Sequence, residues 1–207
     1  AENADFADAC EEAGITFIGP PGRVIRKMGE KAEARRSLAA LGLPVTPGIE
    51  DVNGPEDIRV FGEEVGYPLL IKPVFGGGGK GMHRIDAPEE IEEALATSRS
   101  VAAKAFGNDA VYVEKLILEP SHIEFQFLTD RYGNGIHCGE RECSVQRNHQ
   151  KLIEEAPSTK LTAEQRETMG TRVASAMAAL GYVTAGTMEF LYKDGELYVM
   201  EVNTRIQ

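Results

Sequence analysis

The chain is 207 residues long, 42% hydrophobic and 27% charged, enough for an ordinary globular core and for one domain with part of another. Its formal net charge of -11 argues against nucleic acid and anionic membranes as partners, because both are bound through a basic footprint. It contains no apolar run of about 18 residues, AENADFADACEEAG lacks the basic and apolar regions of a signal peptide, and Cys10, Cys138 and Cys143 form no CxxC pair. A cytosolic protein with reduced thiols is expected, Cys143 being a spectator; the mitochondrial matrix is the other compartment open to a processed chain.

In chain order, DFADACEEA reads as a short helix and Ile15 to Ile18 as a buried strand running into Gly19-Pro20-Pro21, the tail of an α/β unit. Ala34, Leu38 and Leu41 mark one face of a helix from Glu30, stopped by Gly42 and Pro44. Pro55 opens another helix with Ile58, Phe61 and Val65 inward, ended by Gly66 and Pro68. LLIK, ending in Lys72, is a short strand, Met82 to Ile85 another, and PVFGGGGKGM lies between them. Pro88 begins a helix through Ala105 with Ile91, Leu95, Ser98 and Ala102 on one stripe. Val111 to Lys115 is a strand. His122 to Leu128 alternates, with Ile123, Phe125 and Phe127 inward and His122, Glu124 and Gln126 on the other face. A β segment from Ile136 to Ile153 follows, then a helix opened by a Thr162–Gln165 capping box, with Met169, Val173, Met177 and Leu180 toward the core.

The stretch TMEFLYKDGELYVMEVNTR has the pattern of a β-hairpin. Alternation puts Met188, Phe190 and Tyr192 with Tyr198, Met200 and Val202 on one apolar side. Glu189, Glu201 and Asn203 share the other side only if the turn holds an odd number of residues, which a three-residue loop with left-handed Gly195 supplies. Two carboxylates and an amide are hard oxygen donors suited to Mg²⁺ or Mn²⁺; a solvated hairpin face has the same composition.

Gly76, Gly78 and Gly81 match G-x-G-x-x-G, yet a strand follows where a dinucleotide fold needs a helix, and Gly81 stands where a Walker A loop needs Ser or Thr. What the run offers is backbone N–H groups framed by Lys72 and Lys80, either a phosphate-covering lid or a plain surface loop. Arg147, His149 and Lys151 alternate, so an extended chain presents all three on one face, an anion site or a solvated edge.

Together, IKPVFGGGGKGM, VYVEKLILEPSHIEFQ, GERECSVQRNHQKLIEEAP, GTMEFLY and MEVNTRIQ resemble, in this order, the biotin carboxylase family, the ATP-grasp component of acetyl-CoA, propionyl-CoA and pyruvate carboxylases. The resemblance runs over nearly the whole chain. It implies an α/β (α+β) class and an ATP-grasp fold holding nucleotide between a small lid and a larger subdomain. Residues 1–45 resemble the end of an N-terminal α/β subdomain and linker, 46–116 the glycine-loop lid, and 117–207 the first part of the C-terminal antiparallel-sheet subdomain. The implied reaction is attack of bicarbonate on the γ-phosphorus of MgATP to give carboxyphosphate, with biotin on a carrier domain capturing the CO₂. A carboxyltransferase component, and a homodimer of the full-length enzyme, are the implied partners.

Residue by residue, Lys31 and Lys72 resemble lysines that contact ATP phosphates, with Gly78 and Gly79 in the loop over them. Glu114, Lys115, Leu116 and Ile117 resemble the hinge whose backbone reads adenine, and His122 and His149 further nucleotide contacts. Glu189, Glu201 and Asn203 match the ligands of two Mg²⁺ or Mn²⁺ ions. Lys151 and Arg205 match the residues that hold bicarbonate, Arg205 being also the catalytic arginine. The family continues past Arg-Ile-Gln into a segment with the general base and an arginine near biotin, so a fragment that binds MgATP with impaired turnover is expected. Two other readings stay open: a carbamoyl-phosphate-synthetase-like ligase using bicarbonate without biotin, and an inert nucleotide-binding module.

Overall fold

The structure, a computed structural model, describes residues 2–75, 81–148 and 150–207. They form two compact units, one joining Ala1–Val45 with Glu119–Gln207 and the other made of Thr46–Leu118.

The chain opens with α1 (Ala4–Glu12), α2 (Gly22–Gly29) and α3 (Lys31–Ala40). Asn3 caps α1, its side-chain oxygen accepting from the Phe6 N–H at 2.8 Å. Helix α2 is absent from the sequence-based expectation, although its buried Val24, Ile25 and Met28 carry helical spacing. The strand expected at Ile15 to Ile18 does not form: this stretch joins neither sheet, and Ile15 and Ile18 are 62% and 89% exposed. A strand is held by its ladder partners, and no described strand lies alongside this one.

Thr46–Leu118 contains β1 (Gly48–Ile49), α4 (Pro55–Val65), β2 (Leu69–Pro73), β3 (His83–Ile85), α5 (Ile91–Phe106) and β4 (Val111–Lys115). Its strands pair antiparallel in the order β1-β4-β2-β3. Gly66, at φ 75°, lets the chain leave α4 in a conformation that other residues resist. Strand alternation sorts the faces. Leu69, Ile71, Val111 and Val113 pack against Ile58 and Phe61 of α4 and Ile91 and Leu95 of α5, while Lys72, Tyr112 and Glu114 take the opposite side.

The other unit's sheet is made of β5 (Ser121–Thr129), β6 (Gly135–Arg147) and β7 (Gln150–Glu155), then, after α6 (Ala163–Ala179), β8 (Thr184–Lys193) and β9 (Glu196–Asn203). The order is β7-β6-β5-β8-β9, antiparallel throughout. The Thr162–Gln165 box forms, with side-chain-to-backbone bonds of 3.1 and 3.0 Å at the start of α6. Ile123, Phe125, Phe127, Met188 and Phe190 share one core with Met169, Val173 and Met177 of α6 and with Val24, Met28 and Leu38. Each such large apolar side chain stabilises the fold by roughly 1.5–3 kcal/mol on burial. Phe125 meets Phe190 edge to face at 5.6 Å, and Phe127 meets Tyr182 at 4.9 Å.

The hairpin differs from expectation in its turn. Strands β8 and β9 close on two residues, Asp194 and Gly195, with φ of 50° and 93°, in place of a three-residue loop. The odd residue sits in a bulge instead: Glu189 pairs with Glu201 and Phe190 with Val199, which leaves Met200 unpaired. Leu197, Val199 and Val202 therefore point inward; Tyr198 and Met200, expected there, do not, and Met200 is 43% exposed. Because the bulge lies between the turn and Glu201, the shared face of Glu189, Glu201 and Asn203 is kept.

Arg147, His149 and Lys151 are not one extended run. The chain turns at Asn148, φ 51°, pairing Arg147 with Gln150 and Gln146 with Lys151. Partners across a ladder share a face, so Lys151 sides with Gln146 and away from Arg147. His149 lies outside the described residues. No described helix is long and apolar enough to cross a membrane.

Candidate active site

On the sheet face opposite α6, register aligns one row across four strands: Arg141 on β6, Glu124 on β5, Glu189 on β8 and Glu201 on β9. Gln126, Thr187 and Asn203 form the next row. Like charges directly opposite one another are destabilising, so three glutamates in a row need cations. Solvent does not supply the relief, since Glu124 and Glu189 are 0% and 4% exposed.

Lys151 supplies part of it, its Nζ donating to Glu124 Oε2 at 2.5 Å and to Glu189 Oε1 at 2.7 Å. Arg141 pairs with the other Glu124 oxygen and donates to Glu154 Oε2 at 2.5 Å and Gln207 Oε1 at 3.2 Å. His122 Nε2 lies 2.7 Å from Glu189 Oε2, and its Nδ1 is 2.8 Å from Gln146 Nε2. Asn203 Nδ2 donates to Glu189 Oε1 at 2.7 Å.

The titration behaviour follows. Burial pushes the Glu189 carboxyl up, but His122 and Lys151, through hydrogen bonds and charge, outweigh it and hold the group at about 2. For Lys151, burial pulls down and the Glu124 and Glu189 carboxylates prevail, leaving the ammonium raised. Glu201 goes the other way. It keeps an exposed surface, yet desolvation first and the Glu189 charge second raise it, against the pull of Lys31, Lys151 and Arg205. Burial, then Glu124, pushes the Cys143 thiol up to about 12, which suits a spectator and not a nucleophile.

The row is thus bridged by Lys151 at its Glu124 end, whereas at its Glu201 end desolvation and the Glu189 charge outweigh the nearby cations. Glu189, Glu201 and Asn203 offer hard oxygens there, a donor set that fits Mg²⁺ or Mn²⁺. His122, Glu124 and Glu189 also converge closely enough for one ion, but Lys151 already bridges two of them.

Lys31 is the first residue of α3, and its charge bears on Glu201. Arg205 follows β9, and its NH1 pairs with Glu2. In the Thr46–Leu118 unit, Lys72 pairs with Glu114, its Nζ 5.9 Å from the centre of the Tyr112 ring. Lys115 Nζ donates to the carbonyls of Gly66 and Tyr67 at 3.0 and 2.9 Å, and burial lowers its pKa. The backbone N–H groups of Lys115 and Leu116 bond to the Pro47 and Pro68 carbonyls at 2.8 and 3.1 Å, which fixes the path of the segment leading to Ile117. Gly78 and Gly79 lie outside the described residues.

Glu124, Arg141, Gln146 and Glu2 belong to this network without having been singled out from sequence. Alternation in SHIEFQF put Glu124 on the correct face. Its central position depends on β5 lying between β6 and β8, a long-range fact with no local signature.

Two antiparallel sheets with helices, one carrying a lysine strand and the other a carboxylate row, define an ATP-grasp fold. The chain belongs to the family of the carbamoyl-phosphate synthase L chain ATP-binding domain, which matches residues 30–207. It is 50% identical, over its whole length, to biotin carboxylase 1, chloroplastic, of Populus trichocarpa, and spans 40% of that protein. The biotin carboxylase of Allochromatium vinosum is 48% identical, again over the whole chain, which spans 46% of it. Among solved structures, the biotin carboxylase domain of Hydrogenobacter thermophilus 2-oxoglutarate carboxylase is a dimer in complex with MgADP, ADP and bicarbonate. It matches with a TM-score of 0.87 and 48% identity, over all of this chain and 46% of that one. The chain therefore spans less than half the length of these relatives.

Proposed function

We propose that the chain is the nucleotide- and bicarbonate-handling part of a biotin carboxylase, an ATP-dependent ligase that carboxylates biotin through carboxyphosphate. The observation that carries this reading is the half-compensated glutamate row, with Lys151 at one end and a raised Glu201 at the other. Identities of 50% and 48% to biotin carboxylases support biotin as the acceptor over a carbamoyl-phosphate-synthetase-like course.

In this reading the segment from Thr46 is the lid, Lys72 and Lys31 serve phosphate oxygens, and the backbone of Glu114, Lys115, Leu116 and Ile117 reads adenine. Gly78, Gly79, His122 and His149 add nucleotide contacts. Glu189, Glu201 and Asn203 hold Mg²⁺ or Mn²⁺, which offsets charge on the phosphate oxygens when bound. Lys151 and Arg205 hold bicarbonate; the planar fork of Arg205 suits a planar anion. Lys151, kept charged by Glu124 and Glu189, orients that anion and does not take its proton. The γ-phosphoryl group passes to a bicarbonate oxygen, the bond to ADP breaks, and positioning does most of the work. A biotin carrier domain, a carboxyltransferase component and a homodimer belong to the whole protein, working in the cytoplasm.

The test is calorimetric titration of MgATP into the chain with ADP release followed. Binding should require the divalent cation, and ADP release should rise with bicarbonate and biotin together. Release that ignores biotin would move the reading to a bicarbonate ligase of another kind. A folded chain with no affinity for MgATP would overturn it.

A further inference from the structure

Glu2, ahead of α1, reaches the residues that follow β9. Its Oε1 accepts from the Thr204 backbone N–H at 2.9 Å and from the Thr204 hydroxyl at 3.3 Å, while Oε2 pairs with Arg205 NH1. One carboxylate thereby grips two consecutive residues by three contacts, one of them a backbone group. An isolated exposed ion pair holds little, and these two side chains are each 38% exposed; the added backbone bond is what makes this contact directional. Two residues further on, Arg141 holds the Gln207 side chain at 3.2 Å while engaged with Glu124. The segment carrying Arg205 is therefore fastened on both sides. Glu2 takes only NH1, and no described residue is hydrogen-bonded to Nε or NH2 of Arg205.

We propose that Glu2 is a positioning residue that presets Arg205 for a small planar anion. The inference rests on reading Arg205 as a holder of bicarbonate. An arginine side chain loses much rotamer freedom when it is held, and fixing it beforehand removes that cost from the binding step. Glu2 fixes it through NH1 and leaves the Nε–NH2 edge for two parallel bonds to an anion. Its bond to the Thr204 N–H also steadies the residue next to Asn203, so one carboxylate links the anion-holding and cation-holding positions.

The experiment compares the unaltered chain with Glu2→Gln and Glu2→Asp. Line broadening of ¹³C-bicarbonate in the presence of MgADP reads anion affinity, calorimetry reads MgATP affinity, and thermal unfolding of Glu2→Gln, Arg205→Gln and the double variant reads the coupling between the two residues. Glu2→Gln should weaken bicarbonate about tenfold, as expected for losing one charge-assisted restraint, and change MgATP affinity by less than about twofold. Glu2→Asp should recover part of the loss, and the unfolding cycle should show coupling. Unchanged bicarbonate affinity would overturn the proposal, and tighter binding would overturn it by showing that Glu2 occupies the place of the anion. Equal losses of both ligands would reduce Glu2 to a structural tie and also overturn it. An unaltered chain that binds neither ligand would instead sink the reading of Arg205 itself, a result distinguishable because it appears before any substitution.

Discussion

Glu140 and Glu124 are both buried, on neighbouring strands, and face opposite sides of one sheet. On the core side, Arg166 Nε donates to both Glu140 oxygens at 2.7 Å, the Ser158 N–H donates to Oε1 at 3.0 Å, and Arg166 NH2 closes onto the Ser158 carbonyl at 3.1 Å. That is one acid and one base, fully satisfied. On the other side, Glu124 shares Lys151 with Glu189, and Glu189 in turn faces Glu201. A closed pair ties α6 to β6. An open row leaves Glu201 raised beside Glu189, where an added cation would offset charge. The same residue type is structural on one face and receptive on the other, and the balance of nearby charge makes the difference.

The sharpest way to break this contrast is Glu140→Gln. It leaves the half-buried Arg166 without its carboxylate partner and should cost about 3 kcal/mol in urea unfolding, the upper end of what charge-assisted hydrogen bonds to a buried group contribute. An unchanged midpoint would mean that the core-side pair is not what fastens α6. Glu189→Gln takes a charged partner from Lys151 and should cost about 2 kcal/mol without metal, while removing cation-dependent nucleotide binding. Thr162→Ala should cost about 1 kcal/mol through the lost cap and leave nucleotide affinity as it was, a control for core-side damage.

Glu201→Gln should change stability by no more than about 0.5 kcal/mol, or stabilise the chain by relieving repulsion with Glu189, yet lose as much cation-dependent binding as Glu189→Gln. Equal destabilisation by the two glutamate variants would erase the distinction between the ends of the row. The slightest effect is chemical: a thiol reagent at about pH 8 should label exposed Cys138 and spare buried Cys143 until the chain unfolds. Early labelling of Cys143 would mean that the interior beside Glu124 opens readily.

Much of this was legible because it is periodic. The helices of the Thr46–Leu118 unit, the alternation of β5 and the box at Thr162 follow from local spacing. The hairpin shows where legibility ends. Its sequence required one odd residue, but placing it in the turn or in a bulge depends on how Met200 and Val199 meet Phe190, which spacing does not encode. Ile15 to Ile18 has the composition of a strand and no neighbour to make it one. The run from Arg147 to Lys151 contains a turn at Asn148 that alternation alone reads through. At the site, the residue types were readable and the network was not. The sharing of Lys151 by Glu124 and Glu189 exists only once four strands, β7, β6, β5 and β8, are side by side.

Val24, Met28, Leu38 and Leu43 share their core with Leu197, Val199 and Val202. Thr46–Leu118, by contrast, contains a complete core of its own. On the ribosome, α2 and α3 leave the exit tunnel with their apolar stripes uncovered and wait until β9 has been translated. The intervening segment can collapse as soon as β4 emerges. In the order of synthesis, the core of Thr46–Leu118 can therefore close before α2 and α3 meet β9.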